Sequence, residues 1–571
     1  MIRCRGAAQL ILFSSLCATM AAAPADAATV LQTIQQIAQT HAGSAVTNGA
    51  AVGISVGVIY PGQSSQFYNF GTANLATGAA FSANTLFEIA SNTKVFTTNL
   101  LGQEVYAGTL KLSAPLSQFS TQLGGATERS LTGMVTLQEL ADFTSGLPDY
   151  APLCTTQSIP GCMPNARPTL AQYTAGDFIH FFRDTAPRNY NEDTEPLLTS
   201  LPGPYLYSDF SLGLLGLILA TPTGQISDAS VQAWYDDLQS DILTPLGLFH
   251  TYLTVPAASA SLVAAGYSPA EATATVANGA VTGITVTYAG GAYAKAPKVT
   301  LTGGGGTGAT AVATLSGKTV ASIAVQDGGK DYIAPPAFTF RNGGASETAK
   351  LSAIVSNGQI TGVNIISPGK GYTAVPNVTV SGGRSTSGSD ATLTAHIANG
   401  QVTFITVDSG GSGYVQPLTL KVAPGAAESQ VVPIWAPSGS LIASSTDMVH
   451  FAEAALGRDN ANGRSVPTAI TEGFKIAETA YACATSTPAL STCPAAASRS
   501  GLAWEIIPAD ATNGGPEIIT KNGGLPGFTS QIVLVPGSDM AVVVLMNSDA
   551  TGMVRTISFD IAYGIYYGLL K

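Results

Sequence analysis

Charge is scarce in this chain. Asp, Glu, Lys and Arg make up 10% of its 571 residues, against about 25% in an average soluble protein. A basic excess is lacking too: 24 Lys and Arg face 35 Asp and Glu, a net charge of −11. That balance excludes a nucleic-acid binder, which needs a basic patch. Long apolar runs are missing. The longest, such as Leu212–Ala220 and Ala541–Met546, are too short to cross a bilayer as a helix. The five histidines (His41, His180, His250, His396, His450) are scattered and show no H-E-x-x-H spacing. The six cysteines include no C-x-x-C, so no metal centre is expected. What the chain does have is apolar residues, 45%, and 62 glycines. That supports sizeable cores across three to four domains' worth of length and is neither collagen-like nor a charged disordered polymer.

The first 27 residues read as a secretory signal peptide. Arg3 and Arg5 start it, Leu10 to Ala23 is apolar or small, and Ala25-Asp26-Ala27 gives an A-x-A cleavage pattern before Ala28. Leu16 stands where a lipobox before Cys17 would need a small residue, so a soluble periplasmic or secreted product is expected. Cleavage leaves Cys154, Cys162, Cys483 and Cys493. In an oxidising compartment these two local pairs read as two disulfides, Cys154–Cys162 and Cys483–Cys493, each clipping a loop.

A repeat occupies residues 271–425. A glycine-rich step followed by tyrosine recurs at Tyr293, Tyr332, Tyr372 and Tyr414, with Pro297, Pro336, Pro376 and Pro417 close behind. Before each copy two alternating strands flank a two-residue turn: Asn278-Gly279, Ser316-Gly317, Asn357-Gly358 and Asn399-Gly400. Asn-Gly between alternating apolar residues is a strong hairpin signal, because both turn positions need positive φ. A third strand follows each proline. The expectation is an all-β module of four three-stranded units, too small to bury cores singly, that stack or close as a ring, a prism or a linear array. The module carries nine Lys and Arg and five Asp and Glu over 278–425. It holds no cluster of catalytic residue types, so it reads as a spacer or binding module.

The flanks, 28–270 and 426–571, mix helical and strand patterns. Ala51–Tyr60 reads as a strand, and Gln531–Pro536 with Met540–Met546 as a hairpin. Thr93–Tyr106 and Ser211–Ala220 have helical spacing. Strands at both ends with helices between predict an α/β (α+β) domain with a central antiparallel sheet that uses both termini. The repeat module is then an insertion into it.

Ser91-Asn92-Thr93-Lys94 opens a predicted helix, and the i, i+3 spacing puts Ser91 and Lys94 on one face. A lysine of lowered pKa beside a serine activates its hydroxyl, and a helix N-terminus favours an oxyanion. Two further segments join this S-x-x-K. Tyr207-Ser208-Asp209 precedes an apolar helix, and Lys521-Asn522-Gly523-Gly524 lies on a strand near the C-terminus. The order S-x-x-K, Y-S-[ND], K-x-G resembles the penicillin-recognising serine hydrolases, and the tyrosine version resembles their class C branch. That branch spans class C β-lactamases and penicillin-binding proteins, D-alanyl-D-alanine carboxypeptidases and family VIII esterases. Phe87-Glu88-Ile89-Ala90, Gly108–Leu112 with Pro115, Phe143–Pro148 (Phe143 in place of a His), Pro245–Leu248 and Ser445–Met448 agree with the same family. The resemblance covers both flanks and skips the repeats.

The resemblance implies a β-lactamase/transpeptidase-like fold with an all-helical region, and an acyl-enzyme mechanism with no cofactor. Ser91 is then the nucleophile. Lys94 and Tyr207 handle its proton, Tyr207 ionised with the help of Lys94 and Lys521, or acting in concert with Lys94. Lys521 attracts a substrate carboxylate, and the N–H groups of Ser91 and Gly524 form the oxyanion hole. Asp209, Asn522 and Gly523 line the substrate. Two positions depart from the pattern. Asp209 stands for an Asn and offers no donor to a substrate amide, and Asn522 stands for a Thr. Gly53-Ile54-Ser55-Val56-Gly57 fits G-x-S-x-G but lies within a strand with no nucleophile elbow. The expected substrates are D-alanyl-D-alanine cell-wall peptides or β-lactams. The alternatives are a carboxylesterase using the same residues, and a surface-binding protein with a vestigial hydrolase domain. Peptidoglycan, or another cell-surface polymer held by the repeats, is the expected partner.

Overall fold

A computed structural model describes residues 27–119, 122, 135–147, 149, 174–180, 203, 205–267 and 434–571, with short breaks at 48–49, 75–76, 223, 486–488, 526 and 549–550; between 271 and 422 it describes the strands and a few linking residues. The expected signal peptide, apart from Ala27, lies outside the described residues, as do Cys154 and Cys162.

The central element is a nine-stranded antiparallel sheet. Its order is Ala482–Cys483, Arg499–Ser500, Glu505–Ile507, Ile518–Leu525, Phe528–Val535, Met540–Met546, Gly53–Ile59, Gln66–Asn74, Ala79–Ala80. The strand predicted over 51–60 therefore enters between Met540–Met546 and Gln66–Asn74, and one sheet uses both ends of the chain. The three neighbouring strands Phe528–Val535, Met540–Met546 and Gly53–Ile59 are buried throughout. Because side chains alternate along a strand, one run serves two cores. Val542, Val544, Ile54 and Val56 pack under the helices Ala27–Ala38 and Thr551–Ile565, with Val30, Ile34 and Ile561. Val543, Leu545, Ile532 and Leu534 face the larger core. There Phe96, Leu214, Trp234 and Phe451 come from the helices Thr93–Ala107, Asp209–Ala220, Ser230–Leu238 and Ser445–Ala455. Phe96 and Phe451 stack with centroids 3.8 Å apart.

Ser55 sits in the middle of Gly53–Ile59, fully buried. Its hydroxyl donates to Asn69 Oδ1 at 2.6 Å and accepts from Ser445 Oγ at 2.6 Å. A Cβ on Gly53 would lie 1.8 Å from the Phe81 ring, and one on Gly57 would lie 2.2 Å from Val449. The G-x-S-x-G pattern thus reflects close packing over the sheet. Cys483 and Cys493 form a disulfide at one end of the sheet, closing a loop of sequence separation 10.

All four repeats form the expected hairpins: Glu271–Ala277 with Ala280–Tyr288, Thr310–Ser316 with Thr319–Asp327, Lys350–Ser356 with Gln359–Ser367, and Thr392–Ala398 with Gln401–Ser409. Each pairs a seven-residue strand with a nine-residue one, so each contains two register shifts. Bulges of this kind bend and twist a ribbon. The repeats are not self-contained three-stranded units. The third strand of repeat one, Lys298–Thr302, pairs with the first strand of repeat two and with the third strand of repeat two, Ala337–Arg341. The third strand of repeat four, Thr419–Val422, likewise pairs with Lys350–Ser356 and with the third strand of repeat three, Val378–Ser381. Within each pair the circuit closes by packing. Ala280–Tyr288 lies along Thr319–Asp327, and Gln359–Ser367 along Gln401–Ser409. In each pair one repeat thus lends its third strand to the sheet of the other, whose own third strand pairs alongside it. The Asn-Gly turns and glycine–tyrosine loops lie outside the described residues.

Candidate active site

Strand Leu86–Glu88 runs into a short 3-10 turn, Ala90–Asn92, and then into the helix Thr93–Ala107. Ala90 has φ of 49°, a left-handed conformation unusual for a residue with a Cβ. It turns the chain so that Ser91 stands at the mouth of the helix. The turn is tied to its surroundings. Ile89 N–H donates to Leu441 O at 3.0 Å, Ser530 Oγ donates to Ile89 O at 2.7 Å, and Asn92 Nδ2 donates to Ser530 Oγ at 2.7 Å. One helical turn on, Lys94 is fully buried. Its ammonium has three donors, and it uses them on Ser91 Oγ (3.0 Å), the carbonyl of Ser438 (2.8 Å) and the carboxylate of Asp209.

Tyr207 approaches from the opposite side. Its hydroxyl donates to Ser91 Oγ at 2.7 Å, so the serine oxygen is held between a phenol and an ammonium. Residues 205–208 belong to no helix or strand, Ser208 is extended, and the helix Asp209–Ala220 begins immediately after, with Ser208 capping Ser211 N–H at 2.9 Å. The Phe143 ring packs 4.8 Å from that of Tyr207 and edge-on to Tyr205 at 5.7 Å. The ammoniums of Lys94 and Lys521 lie 4.9 and 5.3 Å from the Tyr207 ring centroid.

Lys521, Asn522, Gly523 and Gly524 lie on strand Ile518–Leu525, facing Ile532, Gln531, Ser530 and Thr529 of the next strand. Lys521 is buried and donates to the carbonyl of Asn522 at 2.6 Å. Gly523 abuts the serine turn. A Cβ there would lie 2.3 Å from Ile89 O and 3.0 Å from Ser91 N, so only glycine fits. The structure thus gathers Ser91, Lys94, Tyr207, Asp209, Lys521 and Gly523 into one site.

Burial governs the charges here. It lowers the Lys94 pKa, with Asp209 pulling the other way. Burial and the nearby Lys94 lower Lys521 to about 7. Burial and then Asp209 raise Tyr207 well above its ordinary value. Burial thus works against the ionisation that the two lysines would favour. In this arrangement the Tyr207 hydroxyl donates to Ser91 Oγ, and burial loosens the proton of Lys94.

The model of the beta-lactamase family matches residues 32–322 of this chain. The chain belongs to the beta-lactamase family. It is 31% identical to a beta-lactamase of Pseudomonas fluorescens over 230 residues, 40% of this chain and 53% of that protein. It is 26% identical to a beta-lactamase of Escherichia coli (strain K12) over 260 residues, 45% of this chain and 59% of that protein. The chain thus spans about half the length of the curated relatives it matches. Among solved structures, a beta-lactamase/D-alanine carboxypeptidase from Pseudomonas syringae aligns with a TM-score of 0.49 at 16% identity, covering 94% of this chain and 98% of that one. A class C beta-lactamase aligns with a TM-score of 0.49 at 15% identity, covering 93% and 96%. The beta-lactamase match includes Ser91, Lys94, Tyr207 and Asp209 but ends before Lys521, whose place in the site rests on geometry. Two contributors to this beta-lactamase-family site were missed in the sequence: the carbonyl of Ser438 and the side chain of Asp149, whose Oδ1 accepts from Asp209 N–H at 2.9 Å. A backbone acceptor leaves no mark in a sequence. Asp149 lies directly after the Phe143–Pro148 motif and carries no signature of its own.

Proposed function

We propose that this chain is an exported serine hydrolase that works through an acyl-enzyme on Ser91. The observation that carries the reading is the placement of Ser91 Oγ between Lys94 Nζ at 3.0 Å and Tyr207 Oη at 2.7 Å. With Lys94 uncharged, its amine takes the Ser91 proton as Oγ attacks a carbonyl carbon. The N–H groups of Ser91 and Gly524 receive the oxyanion. Tyr207 gives its proton to the leaving group. In the second half water gives a proton to the Tyr207 oxygen and attacks the acyl carbon, and Lys94 returns the proton to Ser91 Oγ. Every group ends as it began.

D-Alanyl-D-alanine peptides and β-lactams are the first substrates to test. A carboxylesterase is the second reading, favoured by Asp209: its carboxylate is taken by Lys94 and has no N–H for a substrate amide. Residues 28–270 and 426–571 form the hydrolase domain, because the N-terminal strand lies within a sheet built from the C-terminal ones. The module at 271–425 is inserted as a spacer or as a holder of a cell-surface polymer. Its flanks border the site: Tyr267 N–H donates to Gly527 O at 3.2 Å, and Pro437 O accepts from Thr97 Oγ1 at 2.7 Å.

Labelling with an alkyl phosphonate or a fluorescent penicillin, followed by peptide mass spectrometry, tests the nucleophile. Label on the Ser91 peptide, and loss of nearly all activity in Ser91→Ala, are expected. Label on Ser55 would overturn the assignment.

A further inference from the structure

The helix that follows Tyr207 begins with backbone N–H groups that have no partner inside the helix. Ser208 covers one, that of Ser211. Asp149 covers two others: its Oδ1 accepts from Asp209 N–H, and its carbonyl accepts from Phe210 N–H, both at 2.9 Å. The same loop holds the chain just upstream. Phe143 O accepts from Leu206 N–H at 2.8 Å, and Thr144 O accepts from Gly203 N–H at 2.9 Å. Ser145 Oγ and Ser211 Oγ lie 2.8 Å apart. The loop can run so closely because Phe143 adopts φ of 65° and Gly146 φ of 71°. The Phe143 ring then lies against Tyr207. So the segment carrying Tyr207 and Asp209 is clamped by residues 143–145 and 149, and the Asp149 side chain bonds the backbone of Asp209, which holds Lys94.

We propose that Asp149 is a positioning residue, setting the Tyr207–Asp209 arm against Ser91 and Lys94 through its hydrogen bond to Asp209 N–H. The proposal rests on the acyl-serine reading above. Asp149 does not touch Ser91. It acts through Asp209, whose carboxylate holds Lys94, and through the start of the helix two residues after Tyr207. Its negative charge suits the positive end of that helix, and a carboxylate accepting a backbone N–H makes a stronger bond than a neutral acceptor. A small displacement of the arm separates Tyr207 Oη from Ser91 Oγ, and misplacements of about 1 Å cost on the order of a hundredfold in rate.

The test is kcat and KM of the full-length enzyme and two variants on a short p-nitrophenyl ester, with thermal unfolding measured for each. Asp149→Ala removes the acceptor. Its kcat is expected to fall by about tenfold to a hundredfold, with KM within about threefold. Asp149→Asn keeps an acceptor oxygen and is expected to recover most of the lost kcat. A role in folding alone would lower the unfolding temperature and leave kcat of the folded protein unchanged. The proposal is overturned if Asp149→Ala keeps kcat within twofold of wild type, or if Asp149→Asn is as impaired as Asp149→Ala. Should the alanine variant not fold, Asp149→Glu replaces it: charge is kept, the acceptor is moved, and an unchanged kcat overturns the proposal. Ser91→Ala is measured alongside. If it remains active, the acyl-serine reading itself fails. If it is inactive while Asp149→Ala is unimpaired, only the positioning role fails.

Discussion

Replacing Asp209 by Asn tests the part of the site where this chain departs from the Y-S-N form of the motif it resembles. Asp209 holds the buried ammonium of Lys94 and counters the effect of burial on it. Asn keeps an oxygen for Lys94, removes the charge and adds an NH₂ donor. Three effects follow. A substrate amide carbonyl gains a neutral hydrogen bond of about 1–1.5 kcal/mol, or about tenfold in kcat/KM, while an ester with no acylamino group gains nothing from that bond. The Lys94 pKa falls further and that of Tyr207 loses one of its raising influences, so the acid limb of the profile moves to lower pH for both substrates. Stability falls as well. Losing one partner of a buried pair costs about 3–5 kcal/mol if the other stays charged. Lys94, however, escapes by releasing its proton. With its folded pKa depressed below the unfolded value near 10.4, the unfolded state binds more protons in between, and stability rises with pH across that window. The variant is therefore most destabilised at low pH. The assay is kcat/KM for a p-nitrophenyl ester and an acylamino p-nitroanilide from pH 6 to 9, with thermal unfolding at both ends. A selective gain on the anilide above pH 7 is expected. Equal losses on both substrates at every pH would refute the selectivity argument and assign Asp209 to proton handling. Equal stability losses at both pH values would refute the account of the buried charge.

Gly523→Ala is expected to lower kcat by at least about a hundredfold, because its Cβ would meet Ile89 O at 2.3 Å and push strand Ile518–Leu525 away from Ser91 N–H; a variant with wild-type kcat would show that the contact is slack. Lys521, with its pKa lowered to about 7, is charged below that pH and neutral above it. For a substrate bearing a carboxylate, kcat/KM relative to an uncharged ester is expected to drop about tenfold per pH unit above 7, and a flat ratio from pH 6 to 9 counts against Lys521 as the carboxylate's partner. Replacing residues 271–425 by a short Gly/Ser linker is expected to leave a folded hydrolase active on a small ester; a folded but inactive product would mean that the module completes the site.

The sequence showed most of what local spacing can show. Ser91 and Lys94 lie one helical turn apart, so their meeting is nearly built into the chain. Periodicity predicts helices over 93–106 and 211–220 and a strand over 51–60, and the structure has them at Thr93–Ala107, Asp209–Ala220 and Gly53–Ile59. Long-range acceptors were hidden: Ser438 reaches Lys94 across 344 residues through a carbonyl, a group every residue carries. Two neighbouring lysines are visible in a motif, whereas the desolvation that opposes the ionisation of Tyr207 is a property of the packed core. The lending of third strands was invisible for another reason. A strand that pairs within its own repeat and one that pairs with the next repeat share the same alternation, and the choice lies in the path of the connecting loop.

That sharing of strands imposes parity on the module. In each pair one repeat lends its third strand to the other's sheet, so the repeats pack in twos, and the chain carries two such pairs. Loss of a single repeat would take a strand from its partner's sheet or leave a lent strand without one. An odd repeat would present an unpaired strand and an unfilled edge, each complementary to the same features on another molecule. The error would not stay inside one chain: it would join two chains together, through the same pairing that normally closes each one on itself.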